Sequence, residues 1–134
     1  MSSATTSCVL IADRHHAVFE GIRGLLETNF DKVFLVTDKA SLIEGAVRLQ
    51  PTVIVMDLSY AAGNLPDLVR ELRHHAPAAK LLLLSVHDEP VVMTSAMAAG
   101  VDGFVVKRTL GSDLMPAIDA VLAGHRYFFS SVAF

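Results

Sequence analysis

Asp57 ends the run Pro51-Thr-Val-Ile-Val-Met-Asp57, Ser85 ends Lys80-Leu-Leu-Leu-Leu-Ser85, and Lys107 ends Gly103-Phe-Val-Val-Lys107. Runs as apolar as Val53-Ile-Val55 suit strands covered on both faces, where an unpaired carboxylate is costly. A charge standing where such a strand stops is there for chemistry, because open α/β sheets gather ligands beyond the carboxyl ends of their strands. The three side-chain types are complementary: a carboxylate serves as nucleophile or ligand, a hydroxyl donates a hydrogen bond, and an ammonium neutralises negative charge. Asp13, just past Cys8-Val-Leu-Ile-Ala12, brings a second carboxylate to the same edge.

The elements that must position these groups follow from periodicity. Five short apolar runs are expected as strands: Cys8–Ala12, Lys32–Val36, Val53–Asp57, Leu81–Ser85 and Gly103–Val106. Five helical patterns alternate with them. The first covers His16 to Thr28 with Val18, Ile22, Leu25 and Leu26 as its inward stripe. Ser41-Leu-Ile-Glu44 has capping-box form and opens the second, which Pro51 ends. The third covers Leu65–His74; the fourth starts near Asp88 with Pro90 in its first turn and stops at Gly100. The fifth carries the stripe Leu114, Ile118, Val121 and Leu122, with Pro116 conflicting with a cap at Ser112. Alternating βαβ units with right-handed crossovers give an α/β, doubly wound parallel sheet.

Composition excludes other classes. The 134 residues are 52% hydrophobic, enough for one domain with a full core. Eleven basic against fourteen acidic residues, net −3, lack the footprint of a nucleic-acid binder. A single cysteine, Cys8, rules out an internal disulfide framework and suits a reducing cytoplasm. No window reaches the length of a membrane span, and residues 1–6 lack a signal-peptide pattern and are expected to be disordered. The pairs His15-His16 and His74-His75 are not read as metal ligands, since adjacent helical positions diverge and no third ligand is spaced to help.

Taken together, Val9-Leu-Ile-Ala-Asp13, His15, Glu20-Gly21, Val53-Ile-Val-Met-Asp57-Leu, Leu82-Leu-Leu-Ser85-Val-His-Asp88, Ala99-Gly100, Gly103-Phe-Val-Val-Lys107 and Ala117-Ile118 resemble a response-regulator receiver domain (CheY-like). The likeness is to the subfamily that precedes LuxR-type helix-turn-helix domains. Steps of 28 residues from Asp57 to Ser85 and 22 from Ser85 to Lys107 fit that family. The resemblance implies a flavodoxin-like (βα)5 fold with strand order 2-1-3-4-5, and a receiver over residues 7–124. Residues 125–134 would begin a linker to a DNA-binding domain missing from the chain. It implies Asp57 as phosphoacceptor from a sensor histidine kinase, with Lys107 and Ser85 on phosphoryl oxygens and Ser85 and Phe104 as the switch. Asp13, Asp57 and the Ser59 backbone carbonyl would hold Mg²⁺.

One position departs from that pattern. Receivers carry two adjacent acids after the first strand, and here the pair is Asp13-Arg14. Mg²⁺ wants oxygen ligands in near-octahedral geometry, so an arginine there weakens the site. A guanidinium matches a carboxylate bidentately, and two charges ~4 Å apart gain about 4 kcal/mol at an effective dielectric near 20. Arg14 is accordingly expected to turn inward onto Asp57 or Asp13. The loop after Asp57 lacks the family's Pro-Gly turn, and Tyr60 is expected to be exposed.

Three readings result. The first is a phosphorylation-operated switch of a two-component phosphorelay, controlling transcription through the missing domain. The second is a phosphorylation-independent pseudo-receiver acting as a dimerisation or interaction module. The third is a flavodoxin-like enzyme with Asp57 as nucleophile, which lacks a candidate general acid. The preferred reading is cytoplasmic and non-enzymatic, with no membrane contact and DNA reached only through the missing domain. Val91, Val92, Met93, Met97, Leu110 and Met115 cannot all be buried by one stripe, which predicts a homodimer through the fourth helix, fifth strand and fifth helix. The first and fifth helices are the alternative face.

Overall fold

The computed structural model describes residues 7–128, so residues 1–6 and 129–134 lie outside it, with the disorder and most of the linker expected there. The elements run β1 (Cys8–Ala12), α1 (His16–Asn29), β2 (Lys32–Val36), α2 (Lys39–Leu49), β3 (Val53–Asp57), α3 (Leu65–His75), β4 (Lys80–Ser85), α4 (Pro90–Ala99), β5 (Gly103–Val106), α5 (Leu110–Leu122) and β6 (Tyr127–Phe128). All strand pairings are parallel, in the order β2-β1-β3-β4-β5-β6. The expected order 2-1-3-4-5 holds, with a sixth strand added at its edge.

Successive strand residues point to opposite faces, and the sequence uses that period to fill two cores. Leu10, Ile54, Met56, Leu81 and Leu83 pack beneath α2, α3 and α4 with Leu42, Leu68, Leu72 and Ala96. Val9, Ile11, Val53, Val55, Leu82 and Leu84 pack beneath α1 and α5 with Phe19, Leu26, Leu114 and Ile118. Burial on both faces is why these runs show no polar alternation. Two stripe residues fall outside: Leu25 and Leu122 are each 43% exposed, and Phe19 takes the inward place on α1. The side chain of Val18 lies outside the described residues.

Helix starts differ from expectation in two places. Asp38 caps α2, accepting from the Ser41 N–H at 2.8 Å, so Ser41 lies inside the first turn. A carboxylate at that position also favours the positive end of the helix dipole. α5 starts at Leu110, before the expected Ser112 cap, and Ser112 Oγ instead donates to the Thr109 carbonyl at 3.1 Å. Pro116 therefore sits in the helix interior and removes the bond that the Ser112 carbonyl would accept.

Segment 125–128, expected to begin a linker, packs on the domain. Tyr127 N donates to Asp102 O at 3.0 Å, and Arg126 Nη2 donates to the carbonyls of Met97 and Val101, both at 3.1 Å. β6 thereby covers the outer edge of β5, with Tyr127 opposite Gly103 and Phe128 opposite Phe104. Gly103 permits this approach: an added Cβ would stand 2.4 Å from Leu82 Cδ1 and 3.2 Å from Tyr127 O.

Candidate functional site

Register brings four strand ends to one rim. Ala12 stands opposite Met56, so Asp13 and Asp57 leave the sheet side by side, and Asp13 N donates to Val36 O at 3.2 Å. Asp57 stands opposite Leu84, and Ser85 opposite Val106. Asp13 and Ser85 are 1% exposed and Asp57 8%, which makes partners obligatory for the two carboxylates.

Lys107 supplies the partner. Its Nζ lies 2.9 Å from Asp13 Oδ2 and forms a direct ion pair with Asp57 Oδ2. The Asp13 contact is outside hydrogen-bonding geometry, and Asp13 Oδ2 has no hydrogen-bond partner among the described residues. Asp13 Oδ1 accepts from His15 N at 2.8 Å and lies 3.1 Å from His15 Nδ1, which itself stands 3.0 Å from Lys107 Nζ. Asp57 Oδ1 accepts from Ser59 N at 2.8 Å, closing the turn that follows β3. Burial pushes the Asp57 carboxyl up, but the hydrogen bonds of Lys107 and Ser59 outweigh it and hold the group below its ordinary value. Burial likewise opposes the Lys107 ammonium, and Asp57 and Asp13 override it and raise its pKa. Both groups are charged at neutral pH.

A cavity of about 190 Å³ opens beside Asp57, lined by Leu58, Ser59, Ser85, Val86 and His87. Ser85 Oγ accepts from His87 N at 2.9 Å, leaving its own O–H free to donate toward a guest. Phe104 is 1% exposed and packs in the same core as Ala96 and Val101, with Phe128 against it.

Two expectations are corrected here. Arg14 does not pair with Asp57 or Asp13. Its guanidinium lies over the Tyr60 ring, 4.5 Å from the centroid, and Nη1 donates to Ser59 Oγ at 3.2 Å. Tyr60 is not exposed but 2% accessible, its hydroxyl donating to Thr37 O at 2.8 Å. The two corrections share a cause. Lys107 already contacts both carboxylates, and a buried, anchored tyrosine offers the guanidinium an aromatic face at the rim where it stays hydrated.

The ligand atoms of Asp13, His15 and Asp57 lie within 4.8 Å of one another. No third ligand is spaced near His15 along the chain, and the fold supplies two carboxylates from the ends of β1 and β3. The only local signal was its place two residues after Asp13, where its N–H closes onto that carboxylate. The donor set is a poor match to Mg²⁺, which prefers all-oxygen, near-octahedral coordination. An ammonium contacts both carboxylates, an imidazole nitrogen is the third donor, and arginine stands where a further acid is needed. The Ser59 carbonyl accepts from Ala62 N at 3.4 Å.

Comparison with known proteins places this geometry. The sequence model described as the response regulator receiver domain matches residues 9–119. The transcriptional regulatory protein MctR of Rhizobium johnstonii is 30% identical over 128 residues, covering 92% of this chain and 59% of its own length. DegU of Brevibacillus brevis is 29% identical, covering 92% and 53%. This chain thus spans between half and six tenths of the curated relatives it matches. Among solved structures, a LuxR-family two-component response regulator from an Aurantimonas species superposes with a TM-score of 0.79 at 28% identity, covering 95% of this chain and 91% of that one. The non-phosphorylated receiver domain of RcsB from Escherichia coli gives 0.77 at 26% identity, covering 94% and 100%.

Proposed function

Because this chain belongs to the response regulator receiver domain family, whose members are signalling domains, we propose that Asp57 is its phosphoacceptor and that a sensor histidine kinase is the donor. The observation that carries this reading is the paired placement of Asp57: Lys107 on one carboxylate oxygen, and open space beside it bounded by the Ser85 hydroxyl. In the transfer, an Asp57 oxygen attacks the phosphorus of a phosphohistidine. An O–P bond forms, the P–N bond breaks, and its electron pair leaves on the imidazole, which takes a proton from solvent. Lys107 neutralises one equatorial oxygen and Ser85 donates to another, positioning and charge being the bulk of such catalysis.

Ser85 then reports the new state through Phe104, two residues before its cross-strand partner Val106 on β5, and β6 extends the relay because Phe128 stands opposite Phe104. Asp13, Asp57 and the Ser59 carbonyl form at most a weak Mg²⁺ site, for the reasons of charge given above. By analogy with the transcriptional regulators it resembles, the domain controls transcription through a DNA-binding partner domain. The substitution at Arg14 favours a second reading, an interaction module that works without phosphorylation. Intact-mass measurement after exposure to phosphoramidate separates them: one added phosphoryl group, abolished in Asp57→Asn, supports the first, and an unmodified folded protein supports the second.

A further inference from the structure

Arg14 stands at the phosphoacceptor rim without touching either carboxylate, held there by contacts that do not use its charge on the resting site. Its ring partner Tyr60 is buried and anchored to Thr37 O, and its hydroxyl partner Ser59 also donates its N–H to Asp57 Oδ1. One guanidinium N–H is committed to Ser59, which leaves the remaining donors of the fork for another acceptor. The cavity beside Asp57 shares Ser59 with this anchor.

We propose that Arg14 is the second cation of the phosphoryl site, its guanidinium binding an oxygen of the group on Asp57 and replacing a divalent cation. The inference rests on Asp57 being the acceptor. In the resting site the formal charges of Asp13, Asp57, Lys107 and Arg14 cancel. A phosphoryl group on Asp57 carries about two negative charges in place of one, and Lys107 alone must then face these and Asp13. Among the described residues, Arg14 is a cation at that rim with donors to spare. Its planar fork matches a phosphoryl group bidentately, and arginine fulfils this charge-stabilising role in other phosphoryl-transfer sites. Tyr60 holds the guanidinium at the rim beforehand, so less side-chain freedom is lost when the phosphoryl group arrives.

Phosphoramidate labelling tests this, because its zwitterion transfers phosphorus to the Asp57 oxygen and releases ammonia with the P–N electron pair, no metal being required by the balance. Wild type, Arg14→Gln and Arg14→Asp are compared in excess chelator and in excess Mg²⁺ by intact mass, with Mg²⁺ titrations by calorimetry and thermal unfolding to establish folding. Wild type is expected to label equally under both conditions and to show no Mg²⁺ heat. Arg14→Gln should label at least tenfold more slowly in chelator, and Arg14→Asp should bind Mg²⁺ and label only with it. Chelator-sensitive labelling of wild type, or Arg14→Gln labelling as fast as wild type, overturns the role of Arg14 while leaving Asp57 as acceptor. Failure of folded Arg14→Asp to bind Mg²⁺ overturns the claim that Arg14 occupies a cation's place. A folded wild type that labels under neither condition overturns both the inference and the acceptor reading.

Discussion

Lys107, just past β5, reaches Asp13, just past β1, across the tips of β3 and β4, closing to 2.9 Å from its Oδ2. The same ammonium pairs with Asp57 on the way. One cation thus ties three strand ends together, and two carboxylates that would repel one another share it. The tie is largely withdrawn from solvent, with the Lys107 side chain 8% exposed and that of Asp13 1%.

Lys107→Met should therefore be costly. Removing one partner of a buried ion pair leaves uncompensated charge and typically costs about 3 kcal/mol or more. Urea unfolding should show the midpoint falling with little change in slope. A loss below about 1 kcal/mol, the scale of exposed pairs, would show that the tie contributes little.

Stability should depend on pH in a direction set by two shifts. The Asp57 pKa is lowered in the folded state, so its contribution is present above the unfolded value of about 3.9 and is lost as pH falls through the lower folded value. The Lys107 pKa is raised, so its contribution is present below about 10.4 and is lost as pH rises through the higher folded value. Unfolding free energy should plateau between these limits and decline on both sides. Asp57→Asn should flatten the acid decline; an acid limb identical to wild type would refute the assignment to Asp57.

Self-association is expected through α4. Val91 and Met97 on that helix are 69% and 41% exposed, with Val86 at 63% just before it. The edge of β5, part of the face first expected, is taken by β6 and cannot pair with a second copy as it stands. Val91→Glu with Met97→Glu should weaken a homodimer at least tenfold in analytical ultracentrifugation. Loss of the dimer on Leu25→Glu or Leu122→Glu, with the α4 variants unaffected, would move the interface to α1 and α5. A monomer at high micromolar concentration, with and without beryllofluoride, would remove it.

Most of the fold was legible because the information is local. Val53-Ile-Val-Met and Leu81-Leu-Leu-Leu have no polar alternation, so they belong in a sheet buried twice. The helices between them leave parallel pairing as the workable connection. Asp13, Asp57, Ser85 and Lys107 were legible for the same reason, each standing at the point where an apolar run stops. Helix starts were less so, because Asp38, Ser41, Thr109 and Ser112 are all competent caps and the sequence does not rank them.

What the sequence determined by itself is the first five strands and the chemistry collected at their carboxyl ends. Only the tertiary structure decided where long side chains spend their charge. Arg14 has the reach for Asp57, for Asp13 or for solvent, and the choice depended on Lys107, 93 residues away, having filled the acidic pocket already. The burial of Tyr60 depended on Thr37 O being within 2.8 Å, and the pairing of Tyr127 and Phe128 on β5 having an open edge beside a glycine. Such outcomes are competitions among partners distant in the chain, and no local pattern encodes which partner is free.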